Sequence, residues 1–125
     1  MCLLLFLVSI IYIFGSECCH LTVKIRSLTD KPFLFQIIVP AIRKKTNLLK
    51  FTKRNEERIT VIKGENCNAQ HWIFRTWRYE DDKPIPVHEN RVKIEGTGYY
   101  QINIWDDVRV HGADRDSIFC SEGIC

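Results

Sequence analysis

The chain has 125 residues, 46% of them hydrophobic and 26% charged, with a formal net charge of +3 at pH 7. This length suits one domain with its own hydrophobic core. The small basic excess lacks the clustered stripe of a nucleic-acid-binding protein, so we expect no nucleic acid partner.

The first apolar segment, 3–15, carries no charge and is shorter than the roughly 18 residues that a membrane span needs. It is typical of a signal-peptide core. Ser16 and Cys18 flank the best small-x-small cleavage site, which predicts a signal peptide at 1–18 and a single secreted, extracellular domain at 19–125. A retained signal anchor is the alternative.

Removal of the signal peptide leaves an even number of cysteines, which predicts two disulfides. Three pairings exist, and we favour the two in which Cys19 and Cys67 each bond one of the C-terminal cysteines. A local bond between Cys120 and Cys125 is the alternative. No C-x-x-C pair occurs, which argues against zinc, and no cofactor is expected. The four predicted disulfide cysteines are Cys19, Cys67, Cys120 and Cys125.

Seven segments show the alternation or the short apolar runs of β-strands, and no amphipathic helical pattern of any length occurs. The sequence therefore predicts an all-β fold, an antiparallel β-sandwich of about seven strands that is Ig-like or C2-like and held by disulfides. The prolines of 80–86 predict a loop, Gly96 and Gly98 predict a hairpin turn, and 106–125 predicts an extended tail. The predicted strands are 21–26, 33–39, 48–53, 58–63, 71–79, 91–95 and 99–105.

The aromatic strand 71–79 is predicted to be central, because large aromatic side chains bury the most apolar surface. Trp72 and Phe74 share one face, which we assign to the core together with Tyr100, Ile102 and Ile104 of the last strand. The opposite, mixed face is a candidate contact surface for a partner. Its members are Arg75, Trp77 and Tyr79.

Several of these features together resemble a group of small secreted single-domain β-sandwich proteins from nematodes, of unassigned function. They are Cys19, the turn 28–33, the Gly64-x-x-Cys67 loop with its aromatic strand, and the closing segment 120–125. The resemblance spans nearly all of the mature chain. It implies a secreted β-rich domain and carries over no catalytic or binding residues.

Enzyme motifs are absent: the chain has no G-x-S-x-G, H-E-x-x-H, P-loop or dinucleotide-binding fingerprint, and each histidine stands alone. We therefore predict a non-enzymatic, monomeric binding or structural module that contacts an extracellular protein or glycan. A small enzyme is the remotest alternative.

A basic loop offers a more specific alternative, in which the module binds an anionic membrane surface or a sulfated glycan. A weaker candidate is a calcium site of C2-like type, made by the acidic pairs Asp81, Asp82 and Asp106, Asp107. The candidate anion-binding residues of segment 43–54 are Arg43, Lys44, Lys45, Lys50, Lys53 and Arg54.

Overall fold

The computed structural model describes residues 19–122, which form strands and two single-turn 3₁₀ helices, Pro40–Ile42 and Cys67–Ala69. Neither helix in this described part has the length and hydropathy of a membrane span. The predicted signal peptide at 1–18 and Cys125 lie outside the described residues. The strands are β1 (Cys19–Ser27), β2 (Phe33–Val39), β3 (Lys44–Lys45), β4 (Leu49–Phe51), β5 (Glu57–Gly64), β6 (Trp72–Glu80), β7 (Lys83–Ile104) and β8 (Val110–Ser121).

The predicted all-β, disulfide-bonded class is confirmed, since strands hold 69% of the described residues. The strands form one continuous sheet in the order β3-β2-β6-β7-β1-β5, with β4 beside β2 and β8 beside β7. The sheet is mixed, because β1 runs parallel to the second half of β7. It curls into a half-barrel instead of separating into two antiparallel layers, since β7 runs through both halves.

The predicted loop at 80–86 is wrong, because β7 begins at Lys83. Asp81 and Asp82 have φ of 50° and 62°, the left-handed pair that a two-residue hairpin turn requires, and they reverse the chain at once. Pro84 and Pro86 are tolerated since this half of β7 pairs only with β6 among the described strands. Proline fits a strand whose other edge is open.

The predicted hairpin turn at Gly96 and Gly98 is also wrong, because β7 continues through both residues. A Cβ added at Gly98 would lie 2.1 Å from the carbonyl oxygen of Asp116, so the glycine allows β8 to approach closely. The predicted extended tail is likewise a strand: β8 pairs antiparallel with 93–104. Most of its side chains are exposed, which explains the polar sequence.

The core lies in the concave interior of the half-barrel. The inner face of β6 contributes Trp72 and Phe74, both fully buried, which confirms the assignment of that face. Nε1 of Trp72 donates to the carbonyl oxygen of Cys67 at 3.1 Å. The inner face of β7 is also as predicted, with Tyr100, Ile102 and Ile104 buried.

A disulfide joins Cys19 to Cys67, with 6.0 Å between the Cα atoms. The favoured pairing of each with a C-terminal cysteine is therefore wrong. The antiparallel pairing of β1 with β5 sets Cys19 opposite Gly64, and this brings Cys67, three residues later, within bonding distance. Cys120 is also disulfide-bonded.

Candidate functional site: a basic cleft at the seam

The strands β4 and β5 are consecutive in the chain but do not pair with each other. β3 and β4 pair with β2, whereas β5 pairs with β1, so the hairpin is splayed. We call the gap between segment 44–51 and β5 the seam. The tip of the hairpin is fixed by Glu56, whose Oε1 accepts from the backbone N–H groups of Thr52 and Lys53, each at 2.9 Å. The Thr52 N–H bond is the main reason that the pKa of Glu56 is lowered.

Side chains bridge the seam where a backbone ladder is missing. Nζ of Lys44 donates to the carbonyl oxygen of Lys63 at 2.8 Å. Nearer the tip, Nη2 of Arg58 donates to the carbonyl oxygen of Lys50 at 3.3 Å. Beyond Lys44 the seam is closed by Ile42, whose side chain packs on Gly64. The two walls are thus held apart at a fixed spacing without pairing.

At the Lys44 end of the seam lies an open cleft of about 690 Å³, within the range of about 300–1,000 Å³ usual for ligand pockets. Four cations line it, and no described lining residue is acidic. None of the ion pairs within residues 19–122 involves these four cations. The lining residues are Val39, Arg43, Lys44, Lys45, Thr46, Thr60, Val61, Ile62, Lys63 and Gly64.

The structure brings together half of the predicted anion-binding residues. Arg43, Lys44 and Lys45 all line the cleft, and they are joined by Lys63, which is not among the predicted anion-binding residues. The alternation of 58–63 predicts that Ile59 and Val61 face inward, but both are exposed in the structure, and Lys63 lies on the same exposed face. Nothing in the local sequence indicates that this face adjoins the basic loop.

The other three predicted residues lie away from the cleft. Nζ of Lys50 sits 4.8 Å above the ring of Tyr79. Arg54 donates to the carbonyl oxygen of Leu28 at 2.8 Å and so ties the hairpin tip to the β1–β2 loop. Lys53 lies within the tip itself, where its N–H bonds Glu56. The basic segment 43–54 is therefore divided between the cleft and the tip.

The predicted contact surface on β6 is half-buried, and its side chains already have neighbours. Nε of Arg75 lies 2.6 Å from Oε1 of Glu89, and this bond is the main reason that the pKa of Glu89 is lowered. Trp77 pairs in register with Leu34 and lines a shallow pocket of about 370 Å³. Tyr79 lies beneath Lys50. This face is more covered than its sequence suggests.

The acidic pairs hold turns. Asp81 and Asp82 make the β6–β7 turn. Burial opposes ionisation of Asp107, but the pKa is lowered because the carboxylate accepts from the N–H of Arg109 and contacts His111. Within residues 19–122 no group of three or more His, Cys, Asp or Glu side chains is arranged to hold a metal, so the two pairs do not converge.

No protein-family model matches the sequence, and no curated protein sequence matches it either. No residue of the chain therefore receives a role by similarity to a known protein. The functional proposal therefore rests on the chemical character of the cleft, which is concave, basic and bounded by a strand edge.

Proposed function

We propose that the protein is a secreted, non-enzymatic binding module that takes an anionic extracellular ligand in the cleft of the seam. The observation that supports this is the convergence of four cations, Arg43, Lys44, Lys45 and Lys63, in a cleft whose described lining holds no carboxylate. The nematode proteins that the sequence resembles are secreted β-rich domains, which is consistent with this assignment.

Electrostatics favours an anion at this place. Like charges that share a cleft raise the local potential and attract counter-ions and charged ligands. Each of the four cations lacks an ion-pair partner among the described residues, so an anionic ligand would not have to displace a carboxylate. The remaining side chains are Thr, Val and Ile, together with a glycine, which supports binding over acid–base or nucleophilic catalysis.

The shape of the site supports a chain-like ligand over a membrane. The cations lie within a concave gap between two strand walls, whereas a lipid bilayer presents a broad, flat surface. A narrow polyanion is able to enter such a gap and meet cations from both walls, Lys63 on one and Arg43, Lys44 and Lys45 on the other.

The binding test uses a heparin-derived hexasaccharide and phosphatidylserine vesicles as anionic probes. We expect the hexasaccharide to bind saturably and to bind more weakly as salt is added, because exposed charges are screened over about 8 Å at physiological ionic strength. The variant Lys44→Gln with Lys45→Gln should weaken binding about tenfold, equivalent to about 1.4 kcal/mol. The matched control, Lys50→Gln with Lys53→Gln, removes the same charge outside the cleft. Equal losses in both variants would refute the site.

Secretion is tested separately on protein released by eukaryotic cells. We expect the intact mass to correspond to a chain that begins at Cys19, and treatment with an alkylating reagent to add nothing. A retained segment 1–18 or one reactive thiol would contradict this part of the proposal.

A further inference from the structure

We propose that the ligand of the cleft is an extended acidic peptide, which adds as a new strand to the free edge of β5. The inference rests on the proposed function, since it uses the same cleft and the same cations. It adds that recognition is made by backbone hydrogen bonds as well as by charge, which a sulfated glycan or a lipid headgroup is unable to supply in the same form.

The hydrogen bond from Lys44 shows which backbone groups of β5 face the seam. In an antiparallel pair, alternate residues direct both their N–H and their C=O away from the partner strand. The carbonyl of Lys63 points across the seam to Lys44, so it points away from β1. By the same alternation, Val61 and Ile59 direct their N–H and C=O groups into the seam. This is a row of donors and acceptors spaced as an added strand requires.

The edge of β5 is unpaired by backbone along this row. Among the described strands β5 pairs only with β1. Its outward side chains include Ile59 and Val61, which are 66% and 47% exposed, an unusual state for β-branched residues in a strand. Exposed apolar edges with free backbone groups are sites of strand addition. Within residues 19–122, Lys44 covers this edge at the Lys63 end, and the Arg58 side chain crosses the seam to the carbonyl oxygen of Lys50 nearer the tip.

The opposite wall specifies the charge of the incoming strand. Arg43, Lys44 and Lys45 stand across the seam, and Lys63 stands on β5 itself. When a strand enters, Lys44 releases the carbonyl of Lys63, and its ammonium group becomes available to a carboxylate of the peptide. Lys63 shares one face of β5 with Ile59 and Val61, so acidic residues suit that face of the added strand. Apolar residues suit the alternate positions, on the face of the buried Ile62.

The probe is a fluorescein-labelled peptide of about six residues, the common length of a strand, in which Glu and Val alternate. Two peptides isolate the two contributions. One replaces Glu by Gln and removes the charge. The other keeps Glu but carries N-methyl groups on alternate amides, which removes donors without changing charge. We expect fluorescence anisotropy to show saturable binding of the unmodified Glu–Val peptide. The Gln peptide and the N-methylated peptide should each bind at least tenfold more weakly.

Protein variants test the same edge from the other side. Val61→Pro removes the N–H that faces the seam and leaves the ladder to β1 in place, because that N–H is not part of it. Val61→Thr keeps the N–H and is the matched control. We expect Val61→Pro to weaken binding of the Glu–Val peptide at least tenfold more than Val61→Thr does, since only the proline variant loses the N–H. If Val61→Pro fails to fold, the N-methylated peptide decides the question on the unmodified protein.

The outcomes separate this inference from the proposal on which it rests. Equal binding of the N-methylated and unmodified peptides, or binding of heparin hexasaccharide or phosphatidylserine vesicles without binding of the peptide, overturns strand addition and leaves an anion-binding cleft. Failure of every anionic probe overturns both proposals. Peptide binding that needs the amide donors, the Glu side chains and Lys44 with Lys45 supports both.

Discussion

The interior of the half-barrel and its seam both contain strands with large apolar side chains. These side chains are buried in the interior and partly exposed at the seam. In the interior, β6 lies between β2 and β7, and its Trp72 and Phe74 are fully buried. At the seam, β5 has a partner on one side only, and single side chains such as Lys44 replace the missing ladder. Within β5 itself, Ile62 is 6% exposed and the adjacent Val61 is 47% exposed.

This contrast shows where backbone groups and apolar side chains remain unpaired among the described residues. Burial and backbone pairing are complete together in the interior, so changes there cost stability. At the seam both are incomplete, so changes there should affect binding more than folding. The substitutions that follow test this division, in order of expected loss of stability.

Trp72→Ala should cause the largest loss, about 3–5 kcal/mol, which is a large share of the roughly 5–15 kcal/mol that holds a domain folded. The side chain is fully buried, and it also donates to the carbonyl oxygen of Cys67. Urea unfolding measures the change. Trp72→Phe keeps most of the ring volume but loses the donor, so it should cost clearly less. A loss below about 1 kcal/mol for Trp72→Ala would contradict the description of the interior.

The double substitution Cys19→Ala with Cys67→Ala should cost about 2–4 kcal/mol. The disulfide joins the start of β1 to the chain just after β5, across 48 residues of sequence, and so anchors one wall of the seam. Thermal unfolding measures the loss. Hydrogen exchange should also accelerate more in β5 than in β6. Uniform acceleration across both strands would mean that the bond has no particular role at the seam.

Trp77→Ala should cost about 1–2 kcal/mol, less than Trp72→Ala, because the ring is half-buried on the outer face. It lies opposite Leu34 in the β2–β6 register and lines the pocket that Pro86 also lines, so the loss should be measurable. Parallel thermal unfolding of the two tryptophan variants makes the comparison. If Trp77→Ala were the more damaging change, the contributions of the two faces of β6 to stability would be reversed.

Tyr100→Phe should leave stability at pH 7 unchanged or raise it by up to about 1 kcal/mol, since the buried hydroxyl has no hydrogen-bond partner among the described residues. Burial raises the pKa of Tyr100 from 10.0 to about 12, against an opposing effect of Arg115. A raised folded-state pKa gives stability that is complete below pH 10 and is lost as the pH rises from 10 to about 12.

The measurement for Tyr100→Phe is urea unfolding of both proteins from pH 8 to 12. The variant should lack the alkaline loss that the wild type shows. Tyr99→Phe is the control, because the Tyr99 hydroxyl donates to Gln101 at 2.9 Å on the polar face. An alkaline loss of the same size in Tyr100→Phe would show that another group causes it.

Local periodicity was sufficient for β1, for β2 and for the inward faces of β6 and the last part of β7, but not for β5, whose Ile59 and Val61 are exposed. The strict alternation of 21–26 predicts a half-buried strand, and β1 shows that pattern over Cys19–Ser27. Segment 33–39 agrees with β2 at both ends. The inward direction of Trp72 and Tyr100 also follows from parity, because side chains in a strand alternate between its two faces whatever the partner strand is. These features depend on neighbouring residues alone.

Pairing was decided only by the tertiary structure. The prolines of β7 are compatible with a strand because that half of β7 is at an edge, and Gly98 continues the strand because β8 approaches it closely. Cys19 bonds Cys67 because β1 lies beside β5. Lys63 joins the basic loop because β4 and β5 separate onto different partners. Each of these results depends on contacts between residues distant in sequence, on which alternation and turn propensity carry no information.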